Sequence, residues 1–213
     1  MNLQFEDRRQ AGRLLAEALA RFSKEEVTVL ALPRGGVPVA YEIATALHAP
    51  LGVFVVRKLG VPGHRELAMG AIASGGIRVL NEDVVADLAI PPEAIDAVAE
   101  EELQELVRRE DQYYASRPLP PIRDRTVILV DDGLATGATM RAAVLAVRQQ
   151  QPARIVVAVP VGARSTCDLL REEADEVTCL RTPEPFSAVG LWYRLFDQTS
   201  DEEVRRLLSA ESV

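Results

Sequence analysis

Two adjacent carboxylates, Asp131 and Asp132, close an apolar run and stand directly before a loop of Gly, Ala and Thr in the stretch TVILVDDGLATGATM, Thr126 to Met140. The two halves of this stretch suit different chemistry. Carboxylates accept hydrogen bonds from vicinal hydroxyls and repel phosphate. A Gly/Thr loop that opens a helix attracts phosphate, offering main-chain N–H groups, hydroxyl donors and the partial positive charge of a helix N-terminus. A ligand carrying both sugar hydroxyls and a phosphate monoester satisfies both halves, with Asp131 and Asp132 on the hydroxyls and the turn from Gly133 to Thr139 around the phosphate. An ordinary Asp-Gly turn is the plain alternative.

A second loop of the same character is LPRGG, residues 32 to 36. Arg34 presents a fork of donors suited to phosphate oxygens, and Gly35 and Gly36 let main-chain N–H groups come close to an anion. Taken alone, Arg-Gly-Gly reads equally well as a surface turn. Other anion motifs fit poorly, because no Lys-Ser/Thr pair follows the glycines and no GxGxxG follows a strand. The two cysteines, Cys167 and Cys179, form no CxxC, and with two histidines in the chain neither a zinc site nor a disulfide framework is suggested.

These loops need a frame. Apolar runs without alternation occur at VTVLAL (27–32), GVFVVR (52–57), TVILV (126–130) and RIVVAVPV (154–161), as expected of strands buried on both faces of a parallel sheet. Helical patterns separate them, with Val39, Ile43 and Leu47 after the first run and Met140, Ala143, Val144 and Val147 after the third. The expected fold class is α/β, an open and mainly parallel sheet flanked by helices. Ligands of such sheets bind beyond the carboxyl ends of the strands. Both candidate loops follow a strand and precede a helix, so they belong at that edge together.

At this point the sequence resembles a known family. VILVDDGLATGAT is similar to the phosphoribosyl-diphosphate binding motif of type I phosphoribosyltransferases: a hydrophobic strand, two acidic residues, then Thr-Gly-x-Thr. By the resemblance, Asp131 and Asp132 engage the ribose 2- and 3-hydroxyls, and Ala135, Thr136, Gly137, Ala138 and Thr139 wrap the 5-phosphate. LPRGGVPVA resembles the family's pyrophosphate loop and places Arg34, Gly35 and Gly36 against the diphosphate. VVRKLGVPG resembles the Arg-Lys pair opening the flexible loop of adenine-type and orotate-type members. Arg57 and Lys58 would lie near the pyrophosphate, with the Gly-rich stretch to Gly76 closing as a lid that excludes water. A solvated strand end is the alternative for these two cations. His64, Arg65 and Glu66 fall within the lid without an assigned task.

The resemblance implies a single domain over 1–213, with a helical insertion at about 82–120 and a small C-terminal hood lobe at about 176–213, to which the N-terminus could contribute. PPEAIDAVAEEELQELVRRE begins with Pro and Glu as a helix should, and its charged face is expected to be solvated. PEPFSAVG is similar to the hood segment that supplies a stacking aromatic in hypoxanthine-guanine enzymes, so Phe186 leads as the base-stacking residue and Trp192 follows. Two departures bear on the acceptor. Ala135 stands where 6-oxopurine enzymes carry an Asp, and VPVGARS has no Lys to read a purine oxygen.

The implied reaction transfers the 5-phosphoribosyl group from phosphoribosyl diphosphate to a nucleobase or related nitrogen acceptor, releasing pyrophosphate. Lys58, Asp131 and Asp132 are the implied catalytic residues. Mg²⁺ is the implied cofactor, held mainly through the diphosphate, with Asp131 and Asp132 reaching it through ribose or water. The rival on the same fold is a non-catalytic sensor of phosphoribosyl diphosphate. The family often forms homodimers. A net charge of −8 argues against sequence-independent nucleic-acid binding, and no apolar run approaches the ~20 residues of a membrane span. The N-terminus reads as an amphipathic helix rather than a signal peptide, so a cytoplasmic setting is expected.

Overall fold

The computed structural model describes residues 4–114 and 119–210. In chain order the strands are β1 (Val27–Ala31), β2 (Leu51–Val53), β3 (Val56–Val61), β4 (His64–Ala73), β5 (Ile77–Leu80), β6 (Thr126–Val130), β7 (Arg154–Val161) and β8 (Glu176–Arg181). The helices are α1 (Arg8–Leu19), α2 (Gly36–Leu47), α3 (Glu82–Asp87), α4 (Pro92–Tyr114), α5 (Ala138–Gln149), α6 (Arg164–Leu170) and α7 (Asp201–Ala210). Five strands form one parallel sheet in the order β2-β1-β6-β7-β8. The fold is α/β, with helices on both faces.

Burial at every position of β1 and β6 makes sense once the two faces are followed. Val29, Ala31, Ile128, Val130 and Val156 pack into one core beneath α1, α2, α4 and α7. Leu30, Val127, Leu129, Ile155 and Val157 pack into a second core beneath α5 and α6. Burying each Val, Leu or Ile side chain among them favours the fold by about 1.5–3 kcal/mol, which is why these runs carry no regular polar alternation. The order of strands also creates a switch point. From β1 the chain crosses through α2 toward β2, and from the adjacent β6 it crosses through α5 the other way toward β7, so the loops after β1 and β6 face each other across a crevice.

Three elements differ from the sequence reading. GVFVVR is not one strand: β2 ends at Val53 and the chain leaves the sheet. Val55 N–H donates to Ser74 Oγ at 2.8 Å, and Ser74 N–H donates back to the Val55 carbonyl at 2.9 Å, so the chain enters a separate sheet at Val56. The Gly-rich stretch expected to close as a lid forms that sheet, a three-stranded antiparallel ribbon in the order β3-β4-β5. Its turns sit at Gly63 and at Gly75 and Gly76, all with positive φ. The third difference is β8, a fifth strand pairing with β7. Its residues are half-buried throughout and its sequence EVTCLR is half polar, so no continuous apolar run marks it. The expected start of the C-terminal lobe at 176 therefore falls inside the main sheet. The insertion contains α3 and α4, while residues 115–118 of it lie outside the described residues.

Candidate active site

Beyond β6 the chain places the acid pair and then turns tightly. Asp131 Oδ1 accepts the main-chain N–H of Asp132 at 2.8 Å. Leu134 N–H donates to the Val161 carbonyl and Ala163 N–H to the Leu134 carbonyl, both at 2.9 Å, which ties the loop to the end of β7. Thr166 of α6 donates its hydroxyl to the Ala135 carbonyl at 2.7 Å. Gly137 has φ of 71° and caps α5 without a side-chain hydrogen bond, so its amides are not taken by a local cap. A Cβ there would lie 2.4 Å from Thr166 Cγ2. Ala135, Thr136, Ala138 and Thr139 are exposed. A braced, glycine-capped helix start with accessible hydroxyls is suited to an anion.

The loop after β1 packs directly on that acid pair. A Cβ on Gly35 would lie 2.0 Å from Asp132 Oδ2, and one on Gly36 would lie 2.6 Å from the Val130 carbonyl. These glycines are required by the approach of two protein loops, a reason distinct from the access to phosphate expected from sequence. Arg34 turns away toward α7, its Nη1 3.7 Å from Asp201 Oδ1. Asp201 also accepts the Tyr113 hydroxyl at 3.1 Å. Burial and then the charge of Asp201 raise the Tyr113 pKa above its ordinary value.

Arg57 and Lys58, adjacent in sequence, point to opposite faces of the ribbon as neighbours in a strand must. Arg57 is bound by Glu102 of α4, with Nε and Nη2 each 2.7 Å from Oε2. The charged face of α4, expected to be solvated, is thus partly spent on this pair. Lys58 is exposed and lines a cavity of about 540 Å³ together with Thr136, Gly137, Ala138, Arg141 and Thr166. The structure therefore brings Lys58 to the Thr-Gly turn after β6 and separates it from Arg57. Asp131, Asp132, Arg34, Phe186 and Trp192 do not line this cavity, which lies between the ribbon, α5 and α6.

One site residue was invisible in the sequence. Arg8, at the start of α1, donates its Nε to Asp132 Oδ2 at 2.8 Å and its Nη1 to the Asp197 carbonyl at 2.7 Å. Its guanidinium carbon lies 3.9 Å from the Phe196 ring centre. Tyr193, whose ring lies 5.0 Å from that of Phe196, donates its hydroxyl to the Asp132 carbonyl at 2.6 Å. Phe5 pairs with Tyr193 in an isolated bridge, joining the N-terminal arm to the C-terminal segment. Phe186 and Trp192 are half-buried and pack against the Phe5, Val161 and Tyr193 cluster.

The electrostatics follow from crowding. Burial, then the neighbouring charge of Asp132, raises the Asp131 carboxyl well above the usual range. Burial also raises Asp132, opposed by the Arg8 guanidinium. Two carboxyls that resist ionisation side by side are suited to receive hydroxyl donors that spread their charge. Among the described residues no cluster of three or more His, Cys, Asp or Glu could hold a metal. The acid pair offers hard oxygen donors, which fits Mg²⁺ reached through water or through a ligand.

Residues 3–192 match the sequence model of the phosphoribosyl transferase domain. Two proteins of Mycobacterium tuberculosis, "Putative phosphoribosyl transferase Rv0571c" of strain ATCC 25618 / H37Rv and "Putative phosphoribosyl transferase MT0597" of strain CDC 1551 / Oshkosh, are each 51% identical over 200 residues. The match covers 94% of this chain and 45% of theirs, so the chain spans less than half the length of these curated relatives. The crystal structure of TT1426 from Thermus thermophilus superposes with a TM-score of 0.90 at 42% identity, covering 99% of this chain and 100% of that one. No helix among the described residues is long and apolar enough to cross a membrane.

Proposed function

Because the chain belongs to the phosphoribosyl transferase domain family, we propose that it transfers the 5-phosphoribosyl group of phosphoribosyl diphosphate to a nitrogen acceptor and releases pyrophosphate. The observation that carries this reading is the meeting, at the switch point of the sheet, of the acid pair and Thr-Gly loop after β6 with the Arg34-Gly35-Gly36 loop after β1. Asp131 and Asp132 take the ribose hydroxyls, and Ala135 to Thr139 with the start of α5 take the 5-phosphate. Mg²⁺, carried on the diphosphate, supplies electrostatic stabilisation to the leaving group. Arg34 leaves Asp201 for the diphosphate. Lys58, on the ribbon that lies over α5, adds positive charge as the anomeric bond breaks. No covalent nucleophile is needed.

A second reading, a non-catalytic sensor of phosphoribosyl diphosphate, is favoured by the pairing of Arg57 with Glu102. That pair removes one of the two cations expected to assist departure of pyrophosphate. Titration calorimetry with phosphoribosyl diphosphate and Mg²⁺ tests the part common to both. Binding should fall at least tenfold in Asp131→Asn/Asp132→Asn, and undiminished binding refutes the site. Pyrophosphate release across a panel of nucleobases and amines then separates the two. Tight binding with no release from any acceptor selects the sensor.

A further inference from the structure

Asp132 is the meeting point of three segments far apart in the chain. The start of α1 reaches it through Arg8, the C-terminal segment through Tyr193, and the loop after β1 through the close approach of Gly35. The Arg8 side chain is 12% exposed and that of Asp132 15%, so this ion pair is shielded rather than a fraying surface contact. The guanidinium is itself held on two further sides, by the Asp197 carbonyl and the Phe196 ring. A cation fixed from three directions fixes the carboxylate it grips.

We propose that Arg8 is a positioning residue of the sugar site: by holding Asp132 Oδ2 it keeps Oδ1 aimed as a hydroxyl acceptor, and so creates the preference for a ribose phosphate over phosphate alone. The inference rests on the acid pair being the sugar site. Without Arg8, the Asp132 carboxylate is free to rotate and faces Asp131 uncompensated, and the hydroxyl-dependent part of affinity is lost. The 5-phosphate loop is braced by Thr166 and the end of β7, not by Arg8, so binding of inorganic phosphate is untouched.

The test is calorimetric titration of ribose 5-phosphate and of inorganic phosphate against wild type, Arg8→Gln, Asp132→Asn and the double variant. Arg8→Gln should weaken ribose 5-phosphate about tenfold and leave phosphate unchanged. The double variant should bind ribose 5-phosphate as Asp132→Asn does, because Arg8 acts through that carboxylate. Losses that multiply in the double variant, an equal loss for inorganic phosphate, or wild-type affinity in Arg8→Gln each overturn the proposal. Arg8→Lys, run in parallel, keeps the charge but gives up the fork that grips Asp132 and the Asp197 carbonyl together. It should lose about threefold for ribose 5-phosphate, and a lysine variant equal to wild type also overturns the proposal. Should wild type itself bind ribose 5-phosphate no better than phosphate, the proposed function falls first and this inference with it.

Discussion

Arg34 has a counterion before any ligand arrives, and removing that counterion should tighten diphosphate binding. The separation of 3.7 Å from Asp201 corresponds to a Coulomb energy of about 1 kcal/mol in a water-like medium and about 4 kcal/mol at an effective dielectric of 20. The side chains are 35% and 40% exposed, so solvent screening applies and the net value belongs with exposed pairs, at about 0.2–1 kcal/mol. Diphosphate binding must forfeit that energy. In Asp201→Asn it need not, and affinity for Mg²⁺-pyrophosphate should rise about 1.4- to 5-fold, at 1.36 kcal/mol for each factor of ten. Asparagine keeps the shape and an acceptor for the Tyr113 hydroxyl, so the local packing stays. The substitution also removes a negative charge from the first turn of α7, which should lower stability by about 0.3–1 kcal/mol. Tighter binding in a slightly less stable protein is a combination that general damage does not produce. Calorimetry with pyrophosphate and Mg²⁺ at about 0.05 M and about 0.5 M salt checks it, and the gain should shrink at the higher salt. Unchanged or weaker binding at low salt refutes the counterion argument.

Asp131→Asn should separate stability from binding. The folded chain raises the pKa of this carboxyl, so it retains a proton that the unfolded chain releases. The corresponding stability is fully present below the unfolded pKa and is lost as pH rises through the folded one. The asparagine variant should therefore melt higher than wild type at pH 7–8, with the gap closing toward pH 4, while its affinity for ribose 5-phosphate falls; thermal scans that show the gap widening in acid contradict this. Gly35→Ala places a Cβ 2.0 Å from Asp132 Oδ2 and should cost about 1–3 kcal/mol as the two loops part. A urea midpoint equal to that of wild type would show that the loops do not pack as described.

What the sequence disclosed and what it hid divide along contact distance. The acid pair and the Thr-Gly turn are contiguous, so their chemistry can be read as one phrase, and the frame that presents them announces itself in uninterrupted apolar runs. Arg57 and Lys58 are also contiguous, yet adjacency misleads there. Read as a loop, they serve one ligand together; in a strand they face opposite ways, and Glu102 of α4 claims one of them. Gly35 and Gly36 are the residues a phosphate loop would carry, but the nearest atoms demanding their smallness belong to Asp132 and Val130. Arg8 lies 124 positions from Asp132 on the charged face of an amphipathic helix, where arginine is ordinary. Nothing in its neighbourhood sets it apart from Arg9 or Arg13, which pair with Glu42 of α2 instead. Its meaning depends on how the first helix and the last segment close over the end of β6. That closure is a product of tertiary packing, carried by Phe5, Tyr193 and Phe196. The acid pair and its turn, being contiguous, keep in the fold the adjacency they have in the sequence. The part that aims them is assembled from the two ends of the chain, which is why substitutions at Arg8 and Asp201, rather than in the loop itself, discriminate best between a site that is merely present and one that is poised.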